Sequence, residues 1–166
     1  MASVSLRSTI VGQVGSLSTL RNSPMQPNPL SYSVPYPLSL ILCDTVYTEP
    51  QTGKKALIGL FSELKAPGFP VFHPGFCVYL AFSDCEGTVR LKLRIVDVDE
   101  ERDPIVEAVH DIQVSDRRAV MEMVWTGGAI VFPAAGEYRI QTFAGDEPLL
   151  ERRLVVAPTQ PPASEP

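Results

Sequence analysis

The sequence predicts an all-β domain, an antiparallel sandwich of about seven to nine short strands. Three observations predict it. After Tyr36, apolar residues fall into segments of strand length, each bounded by clusters of Gly, Pro, Asp, Ser or Thr. No segment of useful length beyond Tyr36 carries a helical period, and no internal repeat stands out. The stretch Phe132 to Val156 reads as two strands meeting at Gly145-Asp146, the first entered through Pro133-x-x-Gly136-x-Tyr138-x-Ile140.

Residues 1–36 are rich in Ser, Pro, Asn and Thr and contain no acid. Leu6, Ile10, Val14 and Leu17 are spaced as a helical stripe, but Gly12 and Gly15 weaken it. The stretch is expected to be a disordered leader; an organelle transit peptide or an over-extended start are alternatives for an acid-free, Arg- and Ser-bearing segment. Residues 158–166 form a disordered Pro-rich tail in the same reading, so the folded domain spans residues 37–157.

Within those limits Leu38 to Tyr47 is a first strand, with Leu38, Leu40 and Leu42 on one face and Ile41 and Cys43 on the other. Apolar residues on both faces place it inside a sheet or under a cover. Thr48 to Gly53 is a turn, and Lys54 to Ser62 returns as the second strand. Glu63 to Pro74 holds Pro67-Gly68, Pro70 and Pro74 and is expected to be a long connection, with a short extended piece at Val71-Phe72. Phe76 to Ser83 follows, with Phe76, Val78, Leu80 and Phe82 on one face.

After the turn Asp84-Cys85-Glu86-Gly87 comes the most regular alternation. Val89, Leu91, Leu93 and Ile95 face inward against an outward stripe of Arg90, Lys92 and Arg94. The phase slips at Ile95-Val96, which predicts a bulge or the end of the strand. Asp97 to Asp103 is a charged loop. Ile105 to Val114, Ala119 to Trp125 and Ala129 to Phe132 are further strands, the second placing Met121, Met123 and Trp125 in the core.

Pro133, Gly136 and Tyr138 have the spacing of the E–F corner of an immunoglobulin-like sandwich, with Gly145 in the turn that follows. In that corner a Tyr near the start of strand F returns its hydroxyl to a backbone group a few residues upstream. These four residues are structural candidates. Two blocks also resemble a bacterial family of small uncharacterised proteins. One is Cys43-Asp44-x-Val46-Tyr47-x-Glu49-Pro50-x-Thr52-Gly53-Lys54-Lys55-x-Leu57-Ile58-Gly59-Leu60-Phe61. The other is Phe132-Pro133-x-x-Gly136-x-Tyr138 with the trailing Glu151-Arg152-x-Leu154-x-Val156. The resemblance spans most of Leu38 to Val156, implies the immunoglobulin-like fold and brings no established activity.

Composition narrows the function classes. With 45% hydrophobic and 20% charged residues the chain is globular. No run nears the roughly 18–20 apolar residues of a membrane-spanning helix. From Asp44 onward twelve basic residues face nineteen acidic ones, a balance that disfavours phosphate backbones and argues against nucleic acid. Three cysteines, an odd number with no tight framework and no secretory signal before them, point to a reducing cytoplasm.

Chemistry-bearing constellations are sparse. Gly53-Lys54-Lys55 lacks the upstream glycine of a phosphate loop and reads as a hairpin turn. The loop Asp97-x-Asp99-Glu100-Glu101-x-Asp103 gathers five carboxylates in seven residues. Asp97, Asp99, Glu100 and Asp103 are its candidates for a hard cation such as calcium, against a solvated acidic loop. His73, His110, Cys43, Cys77 and Cys85 form no zinc-type pair. Cys43 and Cys77 are expected to behave as small buried hydrophobes, and Cys85, in its turn, to be the most exposed thiol. No nucleophile, base and oxyanion-hole set can be named. The expectation is a non-catalytic protein-binding or assembly module with a protein partner and no cofactor. The alternatives are a ligand- or cation-binding sandwich using residues 97–103, and then an unrecognised enzyme.

Overall fold

The computed structural model of the chain describes residues 7–10, 33–99 and 102–159. These residues hold twelve strands and no helix. In chain order they are β1 (Arg7–Ile10), β2 (Tyr36–Thr48), β3 (Lys55–Leu60), β4 (Glu63–Ala66), β5 (Val71–His73) and β6 (Cys77–Ser83), then β7 (Gly87–Asp97), β8 (Val106–Val114), β9 (Met121–Thr126), β10 (Ile130–Phe132), β11 (Gly136–Ala144) and β12 (Glu147–Pro158).

Two five-stranded sheets carry the fold, in the orders β1-β9-β6-β2-β3 and β4-β12-β11-β7-β8, and β5 and β10 form a separate ribbon. One apolar core joins them. Leu40, Leu42, Val78, Leu80, Phe82, Met121, Met123 and Trp125 come from the first sheet, and Val89, Leu91, Leu93, Ile95, Ile140, Leu154 and Val156 from the second. This is the all-β, two-layer arrangement that period-two alternation dictates, each sheet burying one face against the other. Arg152 Nη1, donating to the Leu40 carbonyl at 3.2 Å, ties β12 to β2.

The strand count exceeds the expected seven to nine because short edge elements add to it. Glu63–Ala66, expected inside a long connection, runs parallel to the end of β12 and is the one parallel pairing among the described residues. The expected leader also changes. Arg7 to Ile10 pair antiparallel with Thr126 to Met123, extending the first sheet by a strand that a polar, glycine-bearing neighbourhood had not suggested. Most of the remaining leader, and the tail beyond Thr159, lie outside the described residues. β2 starts at Tyr36 and β12 ends at Pro158, each one residue past the expected limits.

Two local expectations are corrected. No bulge or strand end occurs at Ile95-Val96, because β7 continues to Asp97 with an unbroken ladder to β11. Val96 is buried on the outer face, where its ladder partner Arg139 is held by Glu137 and Glu151. A long cationic side chain shields apolar surface with its methylenes while its head stays ion-paired. Leu38 does not share the burial of Leu40 and Leu42, since a register shift between Pro37 and Ser39 turns it outward.

The C-terminal hairpin β11–β12 closes the second sheet. Tyr138 is buried, and its hydroxyl donates to the Ala134 carbonyl at 2.8 Å, four residues upstream. Gly136 takes φ 158, close to extended, and Gly145 turns the hairpin at φ 59. Pro133 is exposed beside the corner. Tyr138→Phe is expected to lower unfolding free energy by about 1–2 kcal/mol, the net worth of a partly buried hydrogen bond. An unchanged denaturant midpoint in that variant would count against the corner as a stabilising device. Further along, the register shifts between Thr142 and Phe143, and the buried Thr142 hydroxyl both donates to the Leu150 carbonyl at 3.0 Å and accepts from its N–H at 3.2 Å. The side chain thus replaces the ladder bonds that the bulge interrupts.

Candidate functional site

The most distinctive local construction is the β2–β3 hairpin. Its turn follows from residues 49–54: Gly53 N–H donates to the Glu49 carbonyl at 2.9 Å, Glu49 N–H donates to Lys54 O at 2.8 Å, and Gly53 supplies φ 71. This is the hairpin turn expected from Gly53-Lys54-Lys55. β6 accompanies β2 only as far as Cys43, and beyond it Thr45 to Thr48 pair with β3 alone. The distal hairpin therefore projects from the sheet as a two-stranded arm.

The arm does not run straight. Lys55, paired with Thr48 at its far end, makes an ion pair with Glu122 of β9. Glu122 sits in register with Ala81, and Ala81 with Ser39, nine residues before Thr48 on β2. At about 3.3 Å per residue a straight hairpin would hold Lys55 roughly 30 Å away. The arm must instead arch back over the outer face of its own sheet. The arch lies at Asp44 and Gly59, where Gly59 takes φ +70 and a Cβ there would meet Asp44 Oδ2 at 2.0 Å. The positive φ favours glycine, and any Cβ there would also push the Asp44 side chain aside.

Beneath the arch lies a second apolar cluster. Cys43, Cys77 and Val124 are buried there, with Val46 and Leu57 of the arm and Tyr79 of β6 packed against them. Lys55, Tyr79 and Glu122 form its polar rim. The Lys55 side chain is only 5% exposed, and the Tyr79 hydroxyl donates to Glu122 Oε1 at 2.5 Å. Burial pushes the Glu122 carboxyl up, but hydrogen bonds from Lys55 and Tyr79 and the Lys55 charge outweigh it and hold the group below its ordinary value. Burial, with the Glu122 hydrogen bond and charge, pushes the Tyr79 phenol well above its usual range. These are the responses expected of a charged latch closed over a low-dielectric patch.

The upper side of the arm is the reverse. Tyr47, Ile58 and Leu60 are 54%, 55% and 62% exposed, and among the described residues β3 has no strand on its other side. Natural edge strands are usually blunted by charge, proline or a cover. From Ala56 to Leu60 this one carries no charge at all. Phe72 and Val131, opposite each other in the β5–β10 ribbon, are a second exposed apolar pair.

The other candidates are dispersed. Of the acidic loop, Asp97 ends β7 and faces Arg102 at 3.7 Å, Asp99 and Asp103 are exposed, and Glu100 and Glu101 lie outside the described residues. Among the described residues no three His, Cys, Asp or Glu side chains converge on a point that could hold a metal ion. His73 accepts the Gly75 N–H at Nδ1, 3.1 Å, and packs edge-on against Phe76, while burial lowers its basicity and Asp44 opposes that. His110 lies on the other sheet, opposite Leu91. The basic stripe of β7 is matched by Arg90–Asp111, Lys92–Asp146 and Arg94–Glu107 pairs, so it presents no unpaired cationic track. Cys85 is not the most exposed thiol. Asp84 at φ 59 turns the chain so that Cys85 enters the main core, where it is 1% exposed. A cavity of about 180 Å³ at the β11–β12 bulge, lined partly by Phe143, Pro148 and Leu149, is smaller than the usual ligand site.

Sequence reasoning gave neither Lys55 nor Glu122 a partner, and so missed the latch. The available signal was Glu122 itself, a lone acid with Val120 and Val124 on its face of the strand and Met121 and Met123 on the other.

No helix of the described residues is long and apolar enough to cross a membrane. No curated protein matches the chain. A family model does match residues 38–157, from the third residue of β2 to the last but one of β12, and so includes the arched arm and the C-terminal hairpin but not β1. The chain therefore belongs to DUF6941, a family of unknown function.

Proposed function

We propose that the domain is a non-catalytic protein-binding or assembly module, immunoglobulin-like in its build, that recruits an extended segment of a partner protein along the β2–β3 arm. The single observation that carries this reading is the exposed edge of β3, uncharged from Ala56 to Leu60, with Ile58 and Leu60 of β3 and Tyr47 of β2 turned to solvent. An added strand satisfies its backbone groups against such an edge, and alternate side chains then supply specificity. The Lys55–Glu122 latch supports the same reading, because it holds the arm in one shape and so reduces the ordering cost of binding. An immunoglobulin-like relationship is supported by the Tyr138 corner and the two-sheet core. A cytoplasmic setting accords with three unpaired cysteines, and a bacterial one with the two sequence blocks.

The test uses the full chain carrying Ile58→Lys and Leu60→Lys, substitutions that imitate the natural protection of edges. Stability is expected to change by no more than about 0.5 kcal/mol, as for other exposed sites. A partner captured by the wild type should bind the variant at least tenfold more weakly, a difference of about 1.4 kcal/mol. Val109→Lys, at an exposed position of the edge strand β8, is the control and should leave binding intact. Equal binding by the edge variant and the wild type would sink the proposal.

A further inference from the structure

Cys43 on β2 and Cys77 on β6 stand directly opposite each other in the antiparallel ladder. Both are free thiols, both are buried, and with Val124 they make up the buried cluster under the arch. Facing residues of an antiparallel pair have Cα atoms about 4.5–5.5 Å apart. That falls within the roughly 4.4–6.8 Å span of a disulfide, so the strand spacing suits a bond between them. Cys85 belongs to the main core and is not part of this pair.

We propose that Cys43 and Cys77 are a peroxide-oxidisable dithiol whose product is an intramolecular cross-strand disulfide between β2 and β6, with access governed by the latched arm. Of the pair, Cys77 has the greater exposure, 5% against 0%. Its thiol donates to the Asp44 carbonyl oxygen at 3.8 Å and lies 3.8 Å from Thr126 Oγ1, so polar atoms flank the Cys77 sulfur. The fully buried Cys43 takes the second step on that geometry, and burial, with Cys77 and Asp44 nearby, raises its thiol pKa.

The chemistry balances. The Cys77 sulfur attacks one peroxide oxygen, the O–O bond breaks, and one water leaves a sulfenic acid on Cys77. The Cys43 sulfur then attacks the Cys77 sulfur, the S–O bond breaks, and a second water departs with the remaining thiol proton. Two thiols and one hydrogen peroxide give one disulfide and two waters. The sulfurs lose two electrons, which reduce the peroxide.

The arm makes this a gated site. Val46 and Leu57 cover the pair, and Lys55 with Glu122 holds them down. The full chain is exposed to hydrogen peroxide, quenched, alkylated under denaturing conditions and mapped by peptide mass. The expected result is a fall from three alkylatable thiols to one, with Cys43 and Cys77 peptides linked and Cys85 alkylated. Dithiothreitol should reverse it. Cys43→Ser should leave a sulfenic acid on Cys77 that a dimedone probe traps. Lys55→Met should oxidise at least tenfold faster than wild type, because the arm opens more often. Three thiols persisting throughout, a linkage through Cys85, or a bond between two chains would overturn the proposal. The gate is refuted separately if Lys55→Met oxidises at the wild-type rate while the disulfide still forms.

Discussion

Glu122→Ala is expected to lower unfolding free energy by about 2–4 kcal/mol, although the residue lies on the outer face of a sheet. The substitution leaves the ammonium of Lys55, whose side chain is 5% exposed, without its counter-charge, and removes the acceptor of the Tyr79 hydroxyl. Removing one partner of a buried pair costs about 3–5 kcal/mol. The lower range applies here because 32% of the Glu122 side chain still meets water. Urea or guanidinium unfolding of the variant checks it. The double variant Lys55→Met with Glu122→Leu should recover most of the loss, since an apolar pair needs no desolvation of charge. If that double variant is as unstable as Glu122→Ala alone, the ion pair is not the cause. The pH dependence has a definite sign. The Glu122 carboxyl is held below its ordinary value in the folded state. Its stabilisation is therefore complete above the unfolded carboxyl pKa of about 4.3 and is lost as pH falls from there through the depressed native value. Glu122→Ala should flatten that acid limb relative to wild type.

Phe132→Ala is expected to cost about 3–5 kcal/mol, the usual penalty for truncating a buried aromatic. Phe132 is 0% exposed and meets Tyr138 edge to face, with centroids 5.0 Å apart at 69°. It sits on the three-residue β10, whose only strand partner among the described residues is β5, so little nearby backbone can collapse into the space. Tyr138 would lose the ring that positions its hydroxyl toward Ala134. Phe132→Leu should recover roughly half of the loss by refilling volume without the ring contact. A denaturant midpoint in Phe132→Ala within error of the wild type would show that the ribbon is not part of the cooperative core.

Much of the fold was legible because it obeys local rules. In β7 the alternation of Val89, Leu91, Leu93 and Ile95 with Arg90, Lys92 and Arg94 sets which face is buried whatever the neighbouring strands are. The corner at Tyr138 was readable because its hydrogen bond spans only four residues. Elements whose reason to exist is remote were not readable. β1 and β4 are four-residue strands, too short for any alternation to single them out, and are specified by the edges of β9 and β12 that they meet. Cys85 was misplaced because one left-handed residue, Asp84, decides which way the next side chain points. For the candidate site, sequence order gave the hairpin turn and the exposed apolar arm their place. The latch joins residues 67 apart in sequence, and no local pattern encodes that meeting.

By itself, the sequence determined the layered all-β class, the hairpins and most of the buried faces, because side-chain period and turn chemistry act over a few residues. Tertiary structure alone decided strand order, the parallel β4–β12 pairing and the bend at Asp44 and Gly59. It also decided the company of Cys43, Cys77, Tyr79, Lys55 and Glu122 under the arm. The reason is physical. Those contacts depend on how a glycine at positive φ redirects two strands at once, and on which distant charge then lies within reach.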